Sequence, residues 1–172
     1  MIYPGVDCME QSKTRKLISD WPQNISYDNS DLTISSFYAE QSGAVKNPNS
    51  IFFNKRLLDI FLFSMAIGKN LKMRIPLRKR SRSMPTDALK PEEIWLMTAV
   101  ALAEPGNDID ILTRPGEIVE ICEQYANAGI PILVKLDRES ISPDPLSSYQ
   151  EYFKEIVSSL EKGSDVNDRI SS

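Results

Sequence analysis

The sequence predicts a mainly α-helical fold, and three features of the chain favour it. The run from Leu57 to Ile67 is apolar on every face of a helix, which is typical of a buried core helix. Pro91 followed by two glutamates predicts the start of a second helix. Apolar residues at three- and four-residue steps after Thr113 predict a third helix. We therefore expect a compact orthogonal helical domain of about five helices, with an irregular N-terminal arm and room for one short strand or hairpin.

Residues 1–48 form the expected N-terminal arm, which is polar and interrupted by prolines and glycines. Apolar residues at even spacings predict one short strand between Asp31 and Tyr38. The rest of the arm is expected to wrap over the core or to become ordered on a partner. Trp21 favours the first of these, because a docked arm would shield its indole ring from water.

Residues 49–139 form the expected helical core. Asn49 or Ser50 is predicted to cap the central helix, and Gly68 is predicted to end it in a left-handed conformation. A membrane span needs about 20 apolar residues. No membrane segment is expected here, because three charged residues interrupt the apolar run: Lys55, Arg56 and Asp59.

The later elements follow in order along the chain. Thr113 is expected to cap the third helix, with Pro115 in its first turn, and Gly129 is expected to stop it. The segment Ile130–Leu136 fits either a short fourth helix or a buried strand, and we prefer the helix. Residues 140–172 are predicted to be a linker, a C-terminal helix and a frayed polar tail.

A basic loop follows the central helix and contains seven cations without a single acid. Charge runs of this kind are often solvated loops. Clustered cations can also contact nucleic-acid phosphates or an acidic protein surface, and the loop weakly resembles a nuclear localisation run. The candidate contact residues are Lys69, Lys72, Arg74, Arg78, Lys79, Arg80 and Arg82.

Several kinds of catalytic site are excluded by composition. The chain has no histidine, which removes Ser–His–Asp triads and the usual mixed zinc sites. No acid is followed two residues later by lysine, so the acid-x-Lys pair of many metal-dependent nucleases is missing. Gly68-Lys69 lacks the other residues of a phosphate-binding P-loop. Asp108 and Asp110 could bind a hard cation, but no third ligand recurs nearby. We expect no catalytic, cofactor or metal site, and a protein that is not an enzyme.

Charge and cysteine content indicate the cellular setting. A net charge of -4 and a pI near 5.0 argue against a surface that is coated by nucleic acid throughout. Cys8 and Cys122 are expected to be reduced thiols, as in a cytoplasmic protein. The first residues have neither a basic nor an apolar signal region, so no signal peptide is expected.

A series of segments between Phe52 and Leu136 resembles one bacterial family. The segments are Leu58–Gly68, Arg74–Leu77, Ile94–Leu96, Ala99–Ala103, Ile111–Leu112 and Glu123–Ile130, and the most specific are Asp59–Phe61 and Tyr125–Gly129. They resemble the DNA phosphorothioation (Dnd)-associated protein 4 family, small accessory proteins encoded beside DNA phosphorothioation operons.

The resemblance implies a cytoplasmic, non-catalytic subunit of an anti-phage defence complex acting on DNA. Such a subunit would dock on a larger protein encoded nearby, an ATPase or a nuclease. The alternative is a small nucleic-acid-binding protein that uses the loop from Lys69 to Arg82.

Overall fold

The computed structural model describes residues 19–42, 50–106 and 109–139, and several residues between 147 and 158. Its elements are β1 (Asn24–Asp28), α1 (Leu32–Ser42), α2 (Leu57–Asn70), β2 (Arg80–Pro85), α3 (Pro91–Leu102) and α4 (Pro115–Glu139). Short 3-10 helices at Thr86–Ala88 and Ile109–Thr113 lie on either side of α3 in the chain. The predicted mainly α class is confirmed, and so is the start of a helix at Pro91.

Helices α2 and α4 cross at the centre of the fold, where two glycines let their backbones touch. A Cβ atom at Gly68 would lie 2.0 Å from the carbonyl oxygen of Tyr125, and one at Gly129 would lie 2.0 Å from that of Ser64. Both glycines lie inside their helices. The prediction that Gly68 and Gly129 end helices is therefore wrong. They are needed for the close approach of the two helices.

The central helix begins and ends at other residues than expected. Arg56 occupies the N-terminal cap position, where its backbone N–H donates to Asp59 Oδ2 at 2.8 Å. Ser50 does not cap the helix, because the helix begins only at Leu57. The Ser50 Oγ donates to Asp137 Oδ1 at 2.8 Å; Asn49 lies outside the described residues. After α2 the left-handed residue is Lys72, with φ 53°.

Helix α4 replaces the two helices that were predicted around Gly129. It runs for 25 residues and contains Pro131, which interrupts one backbone hydrogen bond of the helix. Ile130, Leu133 and Val134 are buried on the continuing apolar face, so the preference for helix over strand is confirmed here. Thr113 does not cap α4, because the helix begins at Pro115 and Arg114 is at the cap position, where its carbonyl accepts the Glu117 N–H at 2.9 Å. Thr113 belongs to the preceding 3-10 helix, where its Oγ1 donates to the Asp110 carbonyl.

The N-terminal region forms regular structure where an irregular arm was expected. Residues 32–42 are the helix α1, so the strand predicted from Asp31 to Tyr38 is wrong. Ile34, Phe37 and Tyr38 lie at helical three- and four-residue steps and are buried. Asp31 Oδ1 accepts the backbone N–H of Thr33 at 2.7 Å, which caps the helix.

The strand of this region is β1, which pairs antiparallel with the distant strand β2. The register runs from Asn24 opposite Pro85 to Asp28 opposite Arg80, with an irregularity between Ile25 and Ser26. The end of the basic loop, from Arg80 to Arg82, is thus part of strand β2. Trp21 packs against the core beside β1, as expected of a docked segment.

The C-terminal part of the described chain covers one side of the core. Described residues between 147 and 158 are helical, and Tyr149 is buried against the rings of Phe52 and Phe63. The linker was predicted at 140–147; Ser147 is helical, and 140–146, the predicted tail from Lys162 and Cys8 lie outside the described residues. Within the described part of the chain, no helix is both long and apolar enough to span a bilayer.

Candidate partner-contact site

The basic loop runs along α4, and backbone hydrogen bonds fix its path. The Met73 N–H donates to the Gly68 carbonyl at 3.2 Å, which closes the turn after α2. The Ile75 N–H donates to the Gln124 carbonyl at 3.1 Å. In return, the Asn127 side-chain amide donates to the Ile75 carbonyl at 3.1 Å. The loop is therefore held against α4 before it enters β2.

Asp28 holds the far end of the loop. Its Oδ2 accepts the Arg78 backbone N–H at 2.7 Å, and its Oδ1 accepts the Lys79 N–H at 3.2 Å. Burial opposes ionisation of this carboxyl, but these hydrogen bonds outweigh burial and hold its pKa below the usual value. The side chains of Arg78 and Lys79 are left on the outside.

Two of the predicted contact cations bind a buried carboxylate, Glu104, just after α3. Lys69 Nζ lies 2.5 Å from Glu104 Oε1, and Arg74 NH1 lies 3.1 Å from Oε2. The Tyr125 hydroxyl also donates to Glu104 Oε1. Lys69 Nζ lies 4.9 Å from the centroid of the Tyr125 ring, a cation–π contact. We call Lys69, Arg74, Glu104 and Tyr125 the Glu104 cluster.

The electrostatics of the Glu104 cluster are those of an internal ion pair. Burial alone would raise the pKa of Glu104, but hydrogen bonds from Lys69, Tyr125 and Arg74 hold that pKa below its usual value. Burial likewise lowers the pKa of Lys69, and its bond to Glu104 reverses the shift, so that this pKa is raised. Both groups are charged in the folded protein, and the cluster joins α2, α3 and α4.

A third cation, Arg80, faces the buried carboxylate of Glu123 on α4. Arg80 NH1 lies 2.7 Å from Glu123 Oε2, and the Ser26 backbone N–H donates to Oε1 at 2.7 Å. The Arg80 contact is poorly aligned, so that among the described residues Oε2 accepts no hydrogen bond. Burial therefore outweighs the partners and raises the pKa of Glu123. The contact ties the β1–β2 pair to α4.

Six of the seven predicted contact cations divide into two groups. Lys69, Arg74 and Arg80 are in internal ion pairs. Three others are exposed and have no ion pair within the described part of the chain: Lys72, Arg78 and Lys79. The side chain of Arg82 lies outside what the structure describes. We call Lys72, Arg78 and Lys79 the outward cations.

Exposed apolar side chains lie between the outward cations. Met73 is 49% exposed and Ile75 is 40% exposed, and Leu71 precedes them. The backbone that carries them is held by hydrogen bonds, from the Met73 N–H to α2 and between Ile75 and α4. The loop therefore presents a mixed surface of methionine, isoleucine and cations.

A shallow groove of about 220 Å³ borders the loop at Arg78. Asp28, Asp31 and the side chain of Asn127 also line it, with Pro131 at one wall. The carboxylates make the surroundings of Arg78 mixed in charge, which suits a polar protein surface better than a row of phosphates.

Other groups considered from the sequence are not assembled into a site. Among the described residues, no three acidic or cysteine side chains lie together in a way that could hold a metal ion. Asp110 belongs to the 3-10 helix before α4, and Asp108 lies outside the described residues. Cys122 is fully buried, and burial raises the pKa of its thiol.

The sequence did not predict the two acids that bind three of the loop cations, Glu104 and Glu123. Both are far from the basic loop in sequence, and no local spacing connects them to it. Glu123 and Tyr125 do fall within one of the family-like segments, Glu123–Ile130, which is the signal in the sequence that points to them.

A family model described as DNA sulphur modification system-associated protein 4 matches residues 44–158. The chain belongs to this family. The suspected resemblance is therefore confirmed, and the family description associates the chain with a DNA sulphur modification system. The match includes the basic loop, the Glu104 cluster and Glu123, and it begins after α1. No curated protein and no solved structure matches the chain.

Proposed function

We propose that this protein is a non-catalytic accessory subunit that docks on a larger protein of a DNA sulphur modification system, an ATPase or a nuclease active in anti-phage defence. The outward cations and the apolar residues between them are the contact surface. The partner surface would be acidic, with apolar residues that cover Met73 and Ile75.

The composition and the rigidity of the basic loop support docking on a protein partner. Arginine and methionine are enriched at protein–protein interfaces, whereas a surface for phosphates needs cations alone. The loop has exposed Met73 and Ile75 among its cations. Its backbone is fixed by α4 and Asp28, so little conformational entropy is lost when a partner binds.

The test replaces the outward cations by glutamate in one variant: Lys72→Glu, Arg78→Glu and Lys79→Glu. Arg80 is left intact because it pairs with Glu123. The tagged variant is expressed with the neighbouring genes of its operon, and the proteins that co-purify are measured against the native chain. We expect the larger partner to be lost while the melting temperature is nearly unchanged, since exposed charges contribute little to stability.

A matched control makes the same change of charge elsewhere on the surface: Lys55→Glu, Lys90→Glu and Lys154→Glu, all at exposed positions. This variant should keep the partner. Equal loss of the partner in both variants would show a general charge effect and contradict the proposed contact surface. Native chain that purifies alone at native expression levels would contradict the accessory role itself.

The second candidate function is direct nucleic-acid binding, favoured by the same outward cations. Three phosphate contacts would give a logarithmic salt dependence of affinity with a slope of about -2.7. Duplex binding by the native chain alone with that slope, lost in the outward-cation variant and kept in the control, would establish this function instead of the adaptor role.

A further inference from the structure

Helix α3 has an exposed apolar face on the side away from the core. Ile94, Met97 and Ala101 point into the core. The opposite side carries Glu92, Trp95, Leu96, Ala99, Leu102 and Ala103, all exposed. Trp95 alone is 58% exposed, which is unusual for so large an apolar side chain. We call these six residues the α3 face.

Ala99 lies at the centre of the face. Large side chains lie one turn before it, Trp95 and Leu96, and one turn after it, Leu102, so they flank a small one. Alanine at the centre lets another helix approach closely. Against an antiparallel copy of the same helix, the bulky Trp95 would pack beside Ala103 and Leu102 of the other copy.

The charges at the two ends of the face are complementary in the same arrangement. Glu92 at the N-terminal end has no ion pair within the described part of the chain. At the C-terminal end, the Glu104 cluster has two cations and one carboxylate, a net charge of +1. It lies beside this end of α3, because Lys69 Nζ is 3.4 Å from the Ala103 carbonyl oxygen. A twofold axis at Ala99 would bring Glu92 of each copy to the C-terminal end of the other α3 helix, where the Glu104 cluster lies.

We propose that the α3 face binds a second copy of this chain, in an antiparallel twofold arrangement of the two α3 helices centred on Ala99. A membrane surface fits less well, because the N-terminal end of the face carries an acid, Glu92, as well as the basic Lys90, whereas helices that lie on membranes carry mainly Lys and Arg on their polar side. A helix of 12 residues is about 18 Å long, so the interface is small and the dimer is expected to be weak.

Sedimentation velocity of the isolated full chain, at low to high micromolar concentrations, tests the dimer. The native chain should shift from monomer to dimer as its concentration rises. Trp95→Glu and Leu102→Glu should each remain monomeric with an unchanged melting temperature. Leu32→Glu is the matched control, because Leu32 is 83% exposed at another place and should leave the dimer intact. A native chain that stays monomeric, or equal loss with Leu32→Glu, would overturn the proposal.

Cysteine cross-linking tests the orientation in a Cys8→Ser background, with Cys122 too buried to react. Ala99→Cys should form a dimer disulfide on mild oxidation, because the two copies of residue 99 lie at the axis. Ala103→Cys should not, because its copies would be about 12 Å apart along the helices, beyond disulfide reach. If both variants form dimer disulfides, the two helices are parallel. If neither variant does, Ala99 does not lie at the axis. Either result refutes the arrangement. Partner docking through the outward cations is measured separately and does not depend on this outcome.

Discussion

At the scale of single residues, two buried glutamates respond to pH in opposite directions. Hydrogen bonds from Lys69, Tyr125 and Arg74 outweigh burial and lower the pKa of Glu104. Burial outweighs the contacts of Glu123 and raises its pKa. The ionised form of Glu104 is stabilised by its partners in the folded state, whereas the ionised form of Glu123 is disfavoured there by burial. This difference leads to two predictions.

Glu104→Gln should destabilise the protein at neutral pH by about 2 kcal/mol, a typical value for hydrogen bonds to a charged group. The lowered pKa means that the native contribution is present above the ordinary value of 4.5 and is lost as pH falls through the folded value. Urea unfolding at several pH values measures this. The gap between native and variant should shrink from about pH 5 to pH 3. A gap that is constant with pH would contradict an ionised Glu104.

Glu123→Gln should become more stable relative to the native protein as pH rises. The raised pKa means that native stability is greatest below the ordinary value of 4.5 and is lost as pH rises through the folded value. Glutamine cannot ionise, and its oxygen can still accept from the Ser26 N–H. Loss of the Arg80 contact should cost little, since that side chain is 46% exposed.

The measurement is the unfolding free energy of both proteins between about pH 4 and pH 8. Glu123→Ala serves as the control, because it removes the acceptor of the Ser26 N–H and should destabilise at every pH. If Glu123→Gln lost stability with rising pH as the native protein does, another group would be responsible for the pH dependence.

At the scale of elements, the crossing of α2 and α4 depends on two glycines. In an exposed helix, alanine is favoured over glycine by about 1 kcal/mol. Here the atoms that a methyl group would meet are backbone atoms of the other helix, which cannot move aside. The steric effect therefore decides the sign.

Gly68→Ala and Gly129→Ala should each destabilise the protein by about 3 kcal/mol or more, since overpacking of a rigid contact forces the helices apart. Gly116→Ala, in the first turn of α4, is the control. A Cβ atom there meets nothing within 4 Å, so this variant should be as stable as the native protein or slightly more stable. Thermal unfolding of the three variants provides the comparison. Similar melting temperatures for all three would show that the crossing is not close.

At the scale of the whole molecule, the family-matched residues 44–158 do not contain the complete core. Ile25, Phe37 and Tyr38 are buried at 1% exposure or less and come from β1 and α1, before the matched segment. β1 also pairs with β2 and supplies Ser26 and Asp28 to Glu123 and the basic loop.

A chain that begins at residue 44 should therefore lose cooperative unfolding or aggregate, because removal of these side chains exposes the apolar core. A chain that begins at residue 19 retains β1 and α1 and should unfold cooperatively. Circular dichroism during thermal unfolding distinguishes the two. A cooperative transition in the shorter chain at the native temperature would show that β1 and α1 are dispensable.

The sequence by itself determined the helical class, the presence of α2 and its apolar centre, the start of α3, and the family. These follow from local signals: apolar periodicity, the proline and acids at the start of α3, and a run of family-like segments. It also located the basic loop, because charge is a property of composition.

Only the tertiary structure decided which cations of that loop face outward, since Glu104 and Glu123 approach it from distant segments. The same is true of Gly68 and Gly129, which follow the local pattern of helix ends but lie at a helix crossing. The β1–β2 pair joins residues more than 50 positions apart, so that no short-range pattern could predict it. Contacts between residues far apart in the chain depend on how the helices pack, and local propensity does not encode that packing.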